Sequence, residues 1–521
     1  MSSLQEVFVS RASARQRAGR AGRVRPGHCW RLFSKEFLES PLVEDNPAPE
    51  IRRVPLEEVV LQVLLLKLGL PDSFLSKCLE PPSMDQIKTS VTCLLDIKAI
   101  LPKANLPLTA LGYHLAQMPV DVRIGKMLIT ASLLNCIEPA LTIAATLAGK
   151  SPFMTPPNSR EDAAKSHSSF TSSYNYSLTA EKYSISIPHE LDEYMQRNGK
   201  CQQDLTPPND VFFSDHLASV NAYNLWETIY NQHGKEAAFT FCREKYLSNS
   251  CLAEIMKLRE SFKQYLRNAG FLPSLGRGSD EDDEEDEDER DIYDSTKISP
   301  SREITDDIFN KASSSDNNLK MASKSNGNGY GVMRCALCAG LSPQIVRVSR
   351  FEDQAQKSQR KGASGRRVQV PLHIMQGDGV EVHVHPSSLT HSYVKYLLEG
   401  GQGSGQGQSQ RSKDAYIVYH KKVASTKVYL HDCTVVPAAA ILLFGGDMLI
   451  SRTRKGSSSE GGVLVTVGSW IHFKMNELHA VLFRRLQGEI ESLLRIKVED
   501  PANDVTKRQA VLIKVIEALL E

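Results

Sequence analysis

The stretch Gln16-Arg17-Ala18-Gly19-Arg20-Ala21-Gly22-Arg23 decides how the rest of the chain is read. Continued as a helix at about 100° per residue, it predicts Gln16, Arg20 and Arg23 within about 60° of one another, on one face. A side-chain amide and two guanidinium forks then share a short surface, while Gly19 and Gly22 admit close approach by backbone or ligand. Guanidinium is charged at every physiological pH and matches phosphate oxygens bidentately. The face is a candidate grip for a nucleotide γ-phosphate. A shorter Arg-Gly-Arg run has a blander reading, an Arg-rich helix meeting solvent or nucleic acid without specificity.

The full string resembles motif VI of the DEAH/RHA-type (DExH-box) helicases, a group of superfamily 2 nucleic-acid motors. Val24-Arg25-Pro26-Gly27-His28-Cys29-Trp30-Arg31-Leu32-Phe33 follows it as in that family. Ile51-Arg52-Arg53-Val54-Pro55-Leu56, Lys150-Ser151-Pro152-Phe153 and Val384-His385-Pro386-Ser387-Ser388 resemble successive family landmarks. So do Tyr419-His420-Lys421-Lys422-Val423 and Leu442-Leu443-Phe444-Gly445-Gly446-Asp447. The resemblance implies that Gln16, Arg20 and Arg23 face the γ-phosphate, Arg20 and Arg23 as arginine fingers. Such fingers stabilise charge on the transferring phosphoryl group and are worth about 10³–10⁵ in rate. Arg17, about 100° away, is expected in a structural ion pair.

Two other parts of an ATP site are not in the sequence. No Gly-x-x-x-x-Gly-Lys-Ser/Thr string occurs, so no such loop cradles phosphates or offers a hydroxyl to Mg²⁺. No Asp-Glu-x-His follows an apolar strand, and the one dense acidic run, Asp280 to Glu289, has no such strand before it. The chain thus reads as one jaw of the site, the C-terminal half of a helicase, from a truncated gene model or a short isoform. ATP with Mg²⁺ is the implied cofactor, bound mainly by the other lobe. This chain alone is expected to be inactive as an ATPase.

The length, 521 residues, allows three or four domains, and 41% apolar with 24% charged residues fits globular domains with disordered inserts. The net charge of +1 hides basic stretches at Arg11–Arg31, Arg347–Arg367 and Lys413–Lys427 that suit nucleic acid locally. Ten cysteines are scattered, and Cys335-Ala336-Leu337-Cys338 is the sole Cys-x-x-Cys, which favours a packed helix over zinc. Reduced thiols and no signal sequence point to the cytoplasm or nucleus. No apolar run approaches the roughly 18 residues of a membrane span.

The expected architecture is multidomain: α/β, then mainly α, then a β-barrel. Residues 1–48 read as the end of a RecA-like lobe, with strands at Glu6–Val9 and His28–Phe33 around a helix capped by Ser10 or Ser13. Residues 49–118 read as a winged helix, with helices at Leu56–Leu68, Asp72–Cys78 and Ser83–Lys98 and a wing formed by Ile100-Leu101 and Leu106–Leu108. Residues 119–271 read as a helical ratchet domain with a disordered insert at 155–214, whose Tyr174, Tyr176 and Tyr183 are weaker candidates for base stacking. Residues 272–329 read as an acidic disordered linker with Ser279 as a modification candidate. Residues 330–475 read as an OB-like fold with strands at Ile345–Val348, Val368–Leu372, Val380–Val384, Tyr416–His420, Val428–Leu430 and Ala440–Phe444. His383 and His385 share one strand face, where structure or RNA contact outweighs metal binding. Residues 476–521 read as a C-terminal helical extension packed back on the motor.

The reading is therefore the C-terminal part of an ATP-dependent RNA helicase that couples hydrolysis to unwinding or ribonucleoprotein remodelling. Single-stranded RNA is the implied partner, with ribosome or ribonucleoprotein association possible and no membrane. The alternative, from a different class, is a non-catalytic RNA- or ribosome-binding module on the same scaffold. No metal ligands are assigned.

Overall fold

The computed structural model describes residues 2–3, 8–171, 213–273, 329–349, 373–375, 381–391, 394, 414–425, 427–452, 462–501, 503 and 505–520. After a two-residue strand, β1 (Ser2–Ser3), helix α1 covers Arg11–Ala18 with Ser10 as its cap, the hydroxyl accepting from the Ser13 amide. Helix α2 follows at Lys35–Glu39. Arg11 ties the two together: its guanidinium donates to the carbonyls of Leu38 (2.8 Å) and Ser40 (2.9 Å) and pairs with Asp45 at 2.7 Å. Arg17, expected in an ion pair, has none among the described residues; Arg11 makes it. The strands expected at Glu6–Val9 and His28–Phe33 are also absent from their described parts. No described strand lies beside either segment to take its N–H and C=O groups, so neither is held in a ladder. Trp30 is left 87% exposed.

Helices α3 (Glu57–Leu65), α4 (Pro71–Leu75) and α5 (Met84–Asp96) then form a bundle. A capping box starts α5: Ser83 and Gln86 satisfy each other's backbone amides. An isolated antiparallel bridge, Ile100 to Leu108, closes the following hairpin before α6 (Ala110–Gln117).

The central helices are α7 (Val122–Leu133), α8 (Ile137–Ala148), α9 (Arg160–Ser168), α10 (Asp215–Glu244, broken at Gly234) and α11 (Asn249–Asn268). Their shared faces bury Leu141, Ile143, Tyr223, Trp226 and Leu252 in one continuous core. Polar groups pin the layer too: Glu138 on α8 receives Arg259 at 2.7 Å and Lys263 at 3.2 Å from α11, and the Arg259 guanidinium lies over the Tyr223 ring at 4.6 Å. The insert expected to be disordered is helical over Arg160–Thr171, because Ala163 and Phe170 are apolar anchors and the Asn221 amide holds the Phe170 carbonyl at 2.8 Å. Tyr174, Tyr176, Tyr183, Ser279 and the acidic run lie outside the described residues.

Helix α12 (Gly329–Leu341) carries Cys335 and Cys338 into the core, where burial pushes the Cys335 thiol up to about 12 and raises Cys338 as well. Strands β2 (Ile345–Ser349), β3 (His373–Met375), β4 (Glu381–Val384), β5 (Asp414–Ala424) and β6 (Val428–Val436) follow. They pair in the ring β5-β2-β3-β4-β6-β5, antiparallel except for β4 with β6, which closes a five-stranded barrel. Alternation decides the faces on β5: Ile417 and Tyr419 fill the barrel, while Tyr416 and Val418 join the helical core. β1 adds to the end of β5 in parallel. The strand expected at Val368–Leu372 lies outside the described residues.

Ala440–Phe444, expected as a strand, is part of helix α13 (Ala438–Phe444). Pro437 occupies its cap position, three alanines follow, and Ile441 and Leu442 bury against the helical layer, where a strand would leave alternate residues in solvent. A separate three-stranded meander, β7 (Met448–Arg452), β8 (Gly462–Val467) and β9 (Ile471–Asn476), leads into α14 (Glu477–Glu499) and α15 (Thr506–Leu520). Helix α14 packs against α6, α7, α13, β8 and β9. Lys98 bridges Glu491 (2.7 Å) and Asp447 (2.9 Å), and His114 Nε2 meets the Val498 carbonyl at 2.9 Å. Among the described residues no helix is long and apolar enough to cross a membrane.

Candidate nucleic-acid interface

The arginine motif does not form one helical face. Helix α1 stops at Ala18, with Gly19 at its cap and two tight turns after it, Arg20 N–H to Arg17 and Ala21 N–H to Ala18. Two glycines in four residues lower helical propensity where nothing packs to restore it. Gln16 therefore sits on the helix, while Arg20 and Arg23 project from the loop beyond it. All three are exposed, and none of their side chains has a partner among the described residues. Three side chains rich in N–H donors, held near a capped helix and free of internal ties, suit phosphate oxygens.

A second site lies at the seam between the helical layer and the barrel. Residues 152–154 run beside 246–248: Phe153 bridges Leu247, the Ser248 amide donates to Pro152 (2.8 Å), and the Met154 amide donates to Tyr246 (2.9 Å). This backbone pairing presents Ser151 and Phe153 to the seam, with the His167 ring 4.8 Å from that of Phe153. Across it, His385 N–H donates to Leu430, and the loop through Pro386 turns Ser387 and Ser388 toward the same space. Asp215, in the first turn of α10, clamps that loop to the helices. Its carboxylate accepts from Ser388 Oγ (2.7 Å), Leu389 N (2.7 Å) and Cys433 N (2.9 Å). Two segments far apart in sequence, Lys150–Phe153 and Val384–Ser388, thus contribute residues to one cavity of about 260 Å³.

His216, which lines the cavity, is held by a buried polar chain: Ser214 Oγ to Thr434 Oγ1 (2.6 Å) and Thr434 Oγ1 to His216 Nδ1 (2.6 Å). Burial pushes the His216 imidazole down to about 4 and lowers His167 and His431 from the ordinary range. Burial pushes the Asp215 carboxyl up to about 6 despite its three donors. Burial raises Asp432 too, but the His420 contact and the neighbouring His216 and Lys421 outweigh it and hold that carboxyl below its usual value. Two carboxyls and, among the described residues, no Lys or Arg line the cavity, which therefore offers no cationic partner of its own. Cations stand outside it: Lys421 lies opposite His431 in the β5–β6 ladder.

His383 and His385 flank the Tyr429 ring at 6.1 and 5.4 Å, and His385 stacks on His431 at 4.3 Å. They form an imidazole and phenol strip beside the cavity mouth. Among the described residues no group of three or more His, Cys, Asp or Glu is arranged to hold a metal. The residues that sequence reasoning missed are Asp215, His216, His431 and Asp432. Asp215 and His216 opened a segment legible only as a helix start, and nothing local tied them to residues two hundred positions away.

The closed barrel and the helical layer define the class of protein, and three family models match: "Helicase associated domain (HA2), ratchet-like" over 121–219, "Oligonucleotide/oligosaccharide-binding (OB)-fold" over 333–448, and "C-terminal domain in RNA helicases" over 463–521. The chain belongs to the DExH-box RNA helicases and matches their C-terminal half. It is similar to the ATP-dependent DNA/RNA helicase DHX36 of Mus musculus, 29% identical over 100% of this chain and 41% of that protein. The ATP-dependent RNA helicase DHX29 of Mus musculus is 30% identical over 96% of this chain and 28% of its own length. The chloroplastic DExH4 ATP-dependent RNA helicase of Arabidopsis thaliana is 31% identical over 100% and 31%. The chain thus spans well under half of each relative.

Proposed function

We propose that this chain is the C-terminal part of an ATP-dependent RNA helicase, in which residues 1–48 end a RecA-like lobe, 49–118 form a winged helix, and the helical layer and barrel grip single-stranded RNA. The observation that carries the reading is the convergence of Lys150–Phe153 and Val384–Ser388 on one seam between ratchet helices and OB barrel. RNA is taken over from the relatives, whose names share it. The acidic linker, 272–329, separates the two gripping units in sequence.

Phosphoryl transfer to water is the chemistry that ATP with Mg²⁺ supplies, held mainly by a first lobe. Gln16 orients, and Arg20 and Arg23 neutralise charge on the γ-phosphate oxygens from the opposite side of the cleft. Their lobe is released when those contacts end, and the ratchet helices pass the movement to the strand. Lys421 and its basic neighbours on the barrel meet RNA phosphates, which makes affinity fall with salt.

The test is binding of a fluorescent single-stranded RNA to the chain at low and high salt, together with an ATPase assay. Binding that weakens steeply with salt, and hydrolysis no faster than in an Arg20→Ala control, are expected. Salt-independent binding or clear ATP turnover by this chain would overturn the reading.

A further inference from the structure

Helix α15 has two unlike faces. Leu512 and Ile516 are buried, and the Gln509 amide donates to the Ser132 carbonyl of α7 at 3.3 Å, which fixes the inward side. The outward side gathers Lys507, Val511, Lys514, Val515 and Ala518, all exposed, within a strip about 100° wide. Val511 and Val515 stand one turn apart on it, 65% and 36% exposed, with the two lysines beside them. Neither lysine forms an ion pair with a described residue, whereas Arg508, at the edge of the strip, already meets Glu489 at 2.9 Å. Among the described residues no carboxylate shares the strip. Two open valines rimmed by unpaired cations mark a surface for a partner that is both acidic and apolar.

The path of the chain supplies that partner. Residues 274–328 leave and return beside this helix. At the departing end, the Phe271 ring packs 5.0 Å from His114, whose Nε2 meets the Val498 carbonyl, and a Cβ on Gly270 would lie 3.1 Å from Pro501, just ahead of α15. At the returning end, a Cβ on Gly331 would lie 3.3 Å from Leu520, in the last turn of α15. The two ends thus flank a helix about 22 Å long. Extended at about 3.3 Å per residue, the intervening segment reaches several times that distance.

Its sequence fits the strip. The acidic run Asp280 to Glu289 is followed by Asp291-Ile292-Tyr293-Asp294, an apolar pair between two acids. The helix shows the converse, valines beside lysines. A nucleic acid would meet the lysines with its phosphates and leave the valines bare. Exposed ion pairs are individually weak, but a tether holds the acids at an effective concentration on the order of millimolar, so weak contacts suffice.

We propose that the outward face of α15 is the docking surface for residues 280–294 of this same chain, with acids on Lys507 and Lys514 and Ile292-Tyr293 over Val511 and Val515. The assignment does not depend on RNA binding. Docked there, the segment ties the helical layer, which ends at 273, to the C-terminal helices, and the tie weakens as salt rises.

The experiment acetylates lysines of the full chain and follows each site by mass spectrometry. It compares the wild type with a variant carrying Asn for each Asp and Gln for each Glu from Asp280 to Glu289. Lys507 and Lys514 should label about fivefold faster in the variant, the combined worth of a few exposed charge pairs, while exposed Lys35 on α2 stays unchanged. Ile292→Ser with Tyr293→Ser should give a smaller rise, about twofold. Carbodiimide cross-linking of the wild type needs no substitution: in a mixture of light and heavy-isotope chains it should join Lys507 or Lys514 to acids of 280–294 within one chain. Equal labelling of wild type and the neutralised variant, or no such cross-link, overturns the docking. Cross-links that join light to heavy chains assign the face to a second copy, and protection that appears only with added RNA assigns it to nucleic acid; both overturn it as well.

Discussion

Asp215 is the residue on which the seam turns. One carboxylate serves Ser388 Oγ, Leu389 N and Cys433 N, three donors from two different strand-loop segments. Asp215→Ala strands all three, and we expect a loss of about 3 kcal/mol, with Asp215→Asn costing about half of that because one acceptor oxygen remains. Urea denaturation monitored on the wild type and both variants reads the difference. The pH dependence follows from two opposed neighbours. His216 has its folded value depressed from 6.5 to about 4, so its contribution is present above about pH 6.5 and is lost as pH falls toward 4. Asp215 has its value raised from 3.8 to about 6, so its contribution is complete below about pH 3.8 and is lost as pH rises through 6. The two offset each other between those limits. Asp215→Asn leaves the His216 effect alone, and its thermal midpoint should fall more steeply than wild type from about pH 7 to about pH 5. Equal slopes in the two proteins would show that Asp215 does not titrate as its burial dictates. None of this is legible at sequence level, where Asp215 is an acid in a first helical turn and His216 an ordinary core histidine.

Among the described helices, α12 and α7 share the most extensive contact, and it rests on Gly340. A Cβ there would lie 2.5 Å from Met127 Cβ and 2.9 Å from the Arg123 carbonyl, both part of the facing helix. Gly340→Val should therefore push the helices apart and cost about 3 kcal/mol, the upper range for overpacking. Hydrogen exchange over residues 122–133 and 329–341 should rise together; protection unchanged in both would contradict the contact. Helices with strong apolar periodicity, such as α7, α8 and α11, could be read from the sequence because a 3.6-residue stripe marks a helix without reference to its neighbours. The segment 438–444 could not: a short apolar run fits strand and helix alike until its neighbours are known. Strands β7 and β8 flank Lys455–Gly462, a Ser- and Gly-rich run that reads as a loop, and with β9 they were not drawn from the sequence. The arginine helix was overextended because its spacing was taken as helical through two glycines, with no packing to hold it so.

At the scale of the whole molecule, the residues proposed to face phosphate and the seam between helical layer and barrel lie in different parts of the sequence, so their effects should separate. Arg20 and Arg23 sit on a loop with no described tie to the helical layer, whereas the seam is built from α8, α10 and the barrel. Substituting Arg20 and Arg23 by Ala should therefore leave RNA affinity of this chain nearly unchanged, by less than about twofold, since neither lines the seam cavity and isolated exposed charges contribute little. In a longer protein that supplies the first lobe, the same double substitution should reduce ATP hydrolysis by about 10³-fold or more, the worth of an arginine finger. Stripping the rate without touching the grip is the signature of residues that act on the γ-phosphate. If RNA affinity and hydrolysis fall by the same factor, the arginines belong to the nucleic-acid surface, and the order of Gln16, Arg20 and Arg23 in the sequence reflects a basic patch. If hydrolysis is untouched by the double substitution while this chain still binds RNA, the motor role of Arg20 and Arg23 is excluded.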